Sequence, residues 1–247
     1  MVFKLFSMKN SIYIVICIFI LASCKSTKVN LALKIIGAYN DDIKLEKMSK
    51  LNKEIVFFPM IHIGTELFYK DVKNKIDSLE NIGFITYYEK VNSSPNDTID
   101  LLKLRKLLGF PVPKRGTGYM TVIDSIFRFK LKKKLINQPS NIGLGIDSLK
   151  GINVDLTLKQ VITEYEKRFG ELKLNDCDYQ TFYEQKTICK DKPISKASRN
   201  EVIIDFRNKN VINEIVADKH QKIIIVYGKR HIFGIKKELQ NIGFILK

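Results

Sequence analysis

Twice in this chain a strand-length apolar run leads to a histidine, then to a helix-patterned stretch, then to the pentapeptide Asn-Ile-Gly-Phe-Ile. The first copy opens at Ile55 (IVFFPMIHIG) and closes on Leu79-Glu80-Asn81-Ile82-Gly83-Phe84-Ile85. The second opens at Ile223 (IIIVYGKRHIFG) and closes on Leu239-Gln240-Asn241-Ile242-Gly243-Phe244-Ile245. Unbroken runs of Ile, Val and Phe, without polar alternation, suit strands buried on both faces. Two such units predict an α/β layered sheet with helices, built on internally duplicated strand-His-helix-strand units about a pseudo-twofold axis. His62 and His231 then stand just past the C-terminal ends of equivalent strands, the edge where open α/β sheets bind ligands. Chance similarity between Ile-rich segments is the alternative.

The remaining periodicity agrees with alternating strands and helices. Strands are predicted at Glu54–His62, Phe84–Val91, Ile152–Val154, Lys222–Tyr227 and Gly243–Leu246. Helices are predicted from Leu67 to Gly83, Thr98 to Leu108, Thr157 to Phe169, Ser195 to Lys219 and Ile235 to Gln240. The long one turns Val202, Ile203, Phe206, Val211, Ile215 and Val216 inward. Tyr119 to Leu135 reads as a basic helix, and Gly109–Gly118 and Asn137–Gly151 as loops. One domain, residues 54–247, accounts for all of it.

Ahead of that domain, Lys4 and Lys9 precede the short apolar run Ile12–Leu21 (IYIVICIFIL), the proportions of a signal peptide and not of an ordinary spanning helix. Leu21-Ala22-Ser23-Cys24 follows, and resembles the lipobox of bacterial lipoproteins. The resemblance implies a signal peptide over residues 1–23 and an acylated Cys24. Residues 24–53 become the lipidated cysteine and a tether, and the protein is held to a membrane, inner or outer, of a bacterial cell envelope. A signal peptide with an incidental cysteine, or an uncleaved anchor, is the other reading. In that extracytoplasmic setting the remaining thiols, Cys177 and Cys189, are expected to form a disulfide, with two unpaired thiols as the alternative.

The charge is lopsided, 42 Lys plus Arg against 26 Asp plus Glu, or +16, and cleavage after Ser23 removes two Lys to leave +14. Only seven of the 42 are Arg. Base readout and bidentate phosphate clamps favour arginine, so no specific nucleic acid is expected; the partners are a lipid bilayer and a peptide or small-molecule ligand.

Three histidines are present, His62, His220 and His231. Glu89 stands late in the apolar strand FITYYEKV, where an acid is costly unless paired or ligated. Two imidazoles and a carboxylate make a three-ligand site for a divalent ion with a position left for water, whose pKa the ion would lower. The plain alternative is two satisfied strand-end histidines. Arg199, near the start of the long helix, suits an anion or an oriented Glu89, or is simply solvated. His220 reads as a helix-end cap, Gly116-Thr117-Gly118 as a turn, and Lys130–Lys134 as a solvated face or one lying on anionic lipid.

Taken in order, the strand ending at His62, the Glu89 strand, the Arg199-Asn200 helix start and Gly228-x-x-His231 before Gly234-Ile235 resemble the TraB/TIKI superfamily, marked by two GxxH motifs with a Glu and an Arg between them. The resemblance covers Ile55 to Ile245. It implies a duplicated α/β fold, a metal site of His62, Glu89 and His231 with Arg199 as the catalytic basic residue beside Glu89, and metal-dependent peptidase or other hydrolase activity with Mn or Co; Zn suits the same donors. A departure is Pro59 where the family has glycine, which bears on catalysis more than on fold. A binding lipoprotein on the same scaffold, for haem or metal, is the second functional reading; a non-heme iron oxygenase is a third.

Overall fold

A computed structural model describes residues 27–94, 97–114, 116–121, 130–147 and 149–247. The signal segment and Cys24 lie outside the described residues, as does the middle of the basic stretch after Tyr119.

A six-stranded sheet carries the fold, in the order β6-β4-β7-β2-β1-β8. Its strands are β1 (Glu46–Lys50), β2 (Lys53–Met60), β4 (Ile85–Tyr88), β6 (Gly151–Asn153), β7 (Lys222–Gly228) and β8 (Ile245–Leu246). A small ladder pairs β3 (Ile63–Gly64) with β5 (Ile136–Asn137). β6, β4, β7 and β2 are mutually parallel, and β1 runs antiparallel to β2 and β8.

The centre of the sheet is β2 beside β7, in register from Glu54↔Lys222 to Met60↔Gly228. Successive strand residues face opposite sides, so each run supplies two cores. Ile55, Phe57, Ile223, Ile225 and Tyr227 pack under α7 (Arg207–Ala217) and α8 (Lys229–Asn241). Val56, Phe58, Ile224 and Val226 pack under α2 (Glu66–Asn81). That two-sided burial is why neither strand shows polar alternation. A third cluster joins α3 (Thr98–Leu108), α4 (Leu158–Phe169) and Val202. Pro59 lies beyond the last β1 pair, Glu46↔Phe57, where its missing N–H breaks no bond to β1.

Helix ends follow local chemistry. Thr65 caps α2 by accepting from the Phe68 N–H, and Thr157 forms a capping box with Gln160. α2 and α8 end alike. Ile82 and Ile242 bond back to the last turn, and Gly83 and Gly243 take φ of 91° and 93°.

Residues 27–36 form a helix, α1, and Glu46–Lys50 form β1, so the stretch read as tether contributes two elements to the fold. Polar composition conceals the strand: β1 is EKMSK, yet Met48 and Ser49 are buried. The second C-terminal helix begins at Lys229, not Ile235, which puts His231 in its first turn. Of the predicted basic helix only residues 119–121 are helical among those described, and 130–135 are not. The long helix comprises α6 (Lys196–Asn200), a π-helical stretch (Glu201–Phe206) and α7. A π turn shifts the helical phase, and Val216, expected inward, is exposed.

Cys177, in the short α5 (Asp176–Tyr179), and Cys189 are disulfide-bonded, their Cα atoms 5.4 Å apart.

Candidate active site

Four neighbouring parallel strands each deliver one polar side chain at their C-terminal ends. Across the sheet these are Asp155 after β6, Glu89 after β4, His231 after β7 and His62 after β2. Of the residues expected at a site, His62, Glu89 and His231 therefore share one sheet edge.

Arg207 binds the first three together. It opens α7 and reaches the sheet edge with its side chain 6% exposed. Its Nε and Nη2 donate to the two Asp155 carboxylate oxygens at 2.8 and 2.6 Å. Nη2 also donates to Glu89 Oε1 at 2.6 Å, and Nη1 donates to the Ile203 carbonyl at 3.1 Å. The Ile203 carbonyl lies in the π-helical stretch, where the regular ladder is interrupted. The other oxygen of Glu89 accepts from the Gly228 N–H at 2.6 Å. A side chain at position 228 would crowd that carboxylate, its Cβ standing 3.0 Å from Glu89 Oε2.

His231 is held in one tautomer. Its Nδ1–H donates to Asn208 Oδ1 at 2.7 Å, so Nε2 carries the lone pair, which accepts from Arg207 Nη1 at 3.3 Å. Asn208 gets this close because position 234 is glycine: a Cβ there would lie 2.4 Å from the Asn208 amide nitrogen. The two glycines of the second motif thus serve Glu89 and Asn208.

The charge states follow from burial and neighbours. Burial pushes the Glu89 carboxyl up, but Arg207, His231 and the Gly228 N–H outweigh it and hold the pKa at about 2. Burial takes His231 down to about 4, with Arg207 adding to the effect against Glu89. His62 is exposed at the sheet edge; partial desolvation beside the stacked Tyr119 ring lowers its pKa, with Glu89 opposing and Arg207 reinforcing. Near neutral pH the edge holds two carboxylates, one guanidinium and two neutral imidazoles, a surplus of one negative charge.

His62 differs from His231 in having no hydrogen-bond partner at either ring nitrogen among the described residues. Its ring stacks on Tyr119, centroids 4.6 Å apart and planes 24° from parallel. Its main chain is pinned, the Gln138 N–H donating to its carbonyl at 2.8 Å.

Arg199 lies elsewhere: its Nη1 donates to the Leu108 carbonyl at 2.9 Å, and the guanidinium that orients Glu89 is Arg207. His220 pairs with Asp218 past the end of α7. Arg207, Asp155 and Asn208 were missed by sequence reasoning. Arg207 did leave a signal, a cation four residues from both Ile203 and Val211 on the helix's apolar face. Asp155 and Asn208 left none.

A divalent ion is what the family resemblance implies, and two neutral imidazoles with a carboxylate are suitable donors. Their arrangement does not suit one. Both Glu89 oxygens are spent on Arg207 and Gly228, and His231 Nε2 faces Arg207. Ligand atoms of His62, Glu89 and His231 do not all come within 4.8 Å of one another; among the described residues only Cys177, Asp178 and Cys189 do so. Those two sulfurs form the disulfide, and Asp178 is ion-paired to Arg105 and Lys106. An ion at the sheet edge would have to displace a guanidinium.

Compared with known proteins, the chain matches no family model, no curated protein and no solved structure.

Proposed function

We propose that this chain is a membrane-anchored hydrolase, acylated at Cys24, which attacks a carbonyl substrate such as a peptide bond at the C-terminal edge of its parallel strands. The observation that carries the reading is the unclaimed imidazole of His62. A neutral ring stacked on Tyr119, its nitrogens not committed to any described residue, suits a general base for water. Glu89, kept ionised, stabilises the imidazolium formed when His62 takes the proton. Arg207, His231, Asn208 and Asp155 fix Glu89 in place. The equivalent strand positions of His62 and His231, and the like endings of α2 and α8, support a duplicated unit in which one histidine became part of the framework. On this reading the likeness to TraB/TIKI proteins extends to the placement of the two histidines and the acid.

The test is hydrolysis of fluorogenic peptides and esters by the full chain in detergent, with and without a chelator and added Mn, Co or Zn. His62→Ala is expected to lose about 100-fold or more, and His220→Ala little. Equal rates for wild type and His62→Ala reject the proposal. Turnover that depends on an added ion would instead show that Arg207 gives way to a metal. A binding role rests on the same free imidazole, which could ligate a haem iron; a haem absorption band lost in His62→Ala would favour it.

A further inference from the structure

We infer that α1 and its basic surroundings form a docking face for an anionic bilayer, which sets the His62 edge of the sheet against the membrane. The inference rests on the acylation of Cys24 proposed above.

α1 is amphipathic in an unusual sense, with apolar side chains on both sides. Inward, Leu33 packs with Ala38, Ile63 and Leu135, against Ile61 and Tyr119. Outward, Leu31 is 55% exposed and Ile35 71%, with exposed Ala32 between them. Residues 28, 31, 32 and 35 follow the spacing of one helix face, so this outer stripe begins with exposed Lys28. No described element covers it.

Its surroundings are cationic. Exposed Lys34 is on α1 itself. On one side runs the segment containing exposed Lys132 and Lys134, tied to α1 by the Lys132 N–H donating to Asn30 Oδ1 at 3.0 Å. At the C-terminal end of α1, Lys229 Nζ donates to the Ile36 carbonyl at 3.2 Å, bringing in exposed Arg230 and, one turn on, Phe233 at 75% exposure. Cations ringing an apolar stripe match the two components of an anionic bilayer surface.

The chain's own connectivity chooses the bilayer over other occupants. Cys24 stands three residues before Thr27, the first described residue of α1. Three residues span at most about 11 Å, so acyl chains on Cys24 hold α1 at the headgroups. The acyl chains supply attachment and the stripe supplies orientation. Since α1 packs on Ile61, Ile63 and Tyr119, and Tyr119 stacks on His62, that orientation presents the site to substrates carried in or on the membrane.

The experiment reads depth. A fluorophore is placed at Ala32→Cys, or at Leu51→Cys on the β1–β2 turn at the opposite edge of the sheet, in the full chain expressed with its own N-terminus. Each protein is reconstituted in vesicles of phosphatidylcholine with phosphatidylglycerol that contain a headgroup-level nitroxide lipid. Strong quenching at position 32 and little at 51 is expected. Leu31→Glu with Ile35→Glu should remove most of the difference, and phosphatidylcholine alone should reduce it. Equal quenching at the two positions, whether strong or absent, overturns the docking face. Intact mass separates the two claims: an acylated chain without preferential quenching sinks the face alone. An unacylated chain that still quenches at 32 sinks the anchor and keeps the face.

Discussion

Among the described residues, two buried arginines face carboxylates, and they serve different ends. Arg105, on α3, donates to the carbonyls of Thr181, Phe182 and Asp178 and pairs with Asp178 at 3.2 Å, beneath the disulfide loop. Asp178 also pairs with Lys106, which in turn pairs with Asp191, so two cations meet two acids. Arg207 alone meets two acids, Glu89 and Asp155. The first network is balanced, and its arginine is spent largely on backbone; it clamps a loop that has little regular structure. The second is one charge short, stands at the end of four parallel strands, and lies beside an imidazole that has no hydrogen-bond partner among the described residues. A buried ion pair therefore says little about function by its mere presence. Imbalance, position on the sheet and an unclaimed neighbour are what mark a working site.

The largest expected effect comes from breaking the unbalanced network. Arg207→Met leaves two buried carboxylates unpaired and is expected to cost about 3–5 kcal/mol, read by urea unfolding. Arg105→Met should cost less, because Asp178 keeps Lys106. If the two losses are equal, the contrast between the networks fails.

Next in size is the disulfide. Opening the Cys177–Cys189 loop with paired Cys→Ala substitutions is expected to cost about 3 kcal/mol. Any hydrolytic activity should survive, since the loop contributes no side chain to the sheet edge.

Acid sharpens the comparison further. His231 has a folded pKa of about 4 against an ordinary 6.5, so between those values the unfolded chain binds the extra proton and stability falls as pH drops. Glu89, held at about 2 against 4.5, continues the loss from about pH 4.5 downward. His231→Gln should remove part of the first phase and leave the Glu89 phase in place. A stability profile flat between pH 6.5 and 4 would contradict the neutral imidazole.

The smallest effect on stability is expected from His62→Ala. It removes one ring stack and no hydrogen bond of the ring, so the change should stay within roughly 1 kcal/mol while activity falls. A loss as large as that of Arg207→Met would make His62 a structural residue.

Much of this arrangement was legible in the sequence because hydrophobic burial leaves a periodic trace. β2, β4, β7, α2 and α3 showed as unbroken or helical apolar patterns, and the positions of His62, Glu89 and His231 followed from those strands. The remainder depends on contacts between distant segments. β1 hides in polar composition, burying only Met48 and Ser49, and α1 is apolar on both sides, so no single face stands out as a helical pattern. Arg207 was overlooked in favour of Arg199 because a helix N-terminus suggests an anion site, whereas the π turn that carries Arg207 to the sheet edge leaves no pattern in residue types. Asp155 and Asn208 are ordinary polar residues until the fold sets them against Arg207 and His231.

Of the two imidazoles at the sheet edge, His231 is committed to the Arg207 network and His62 has no hydrogen-bond partner among the described residues. Nitrogen-15 NMR of histidine-labelled full chain, followed through a pH titration, reads this directly. His231 should stay neutral with its proton on Nδ1 down to about pH 4, while His62, without a fixed partner, should exchange between tautomers and titrate below its ordinary value. A His231 that is charged at about pH 6, or that carries its proton on Nε2, would contradict the account.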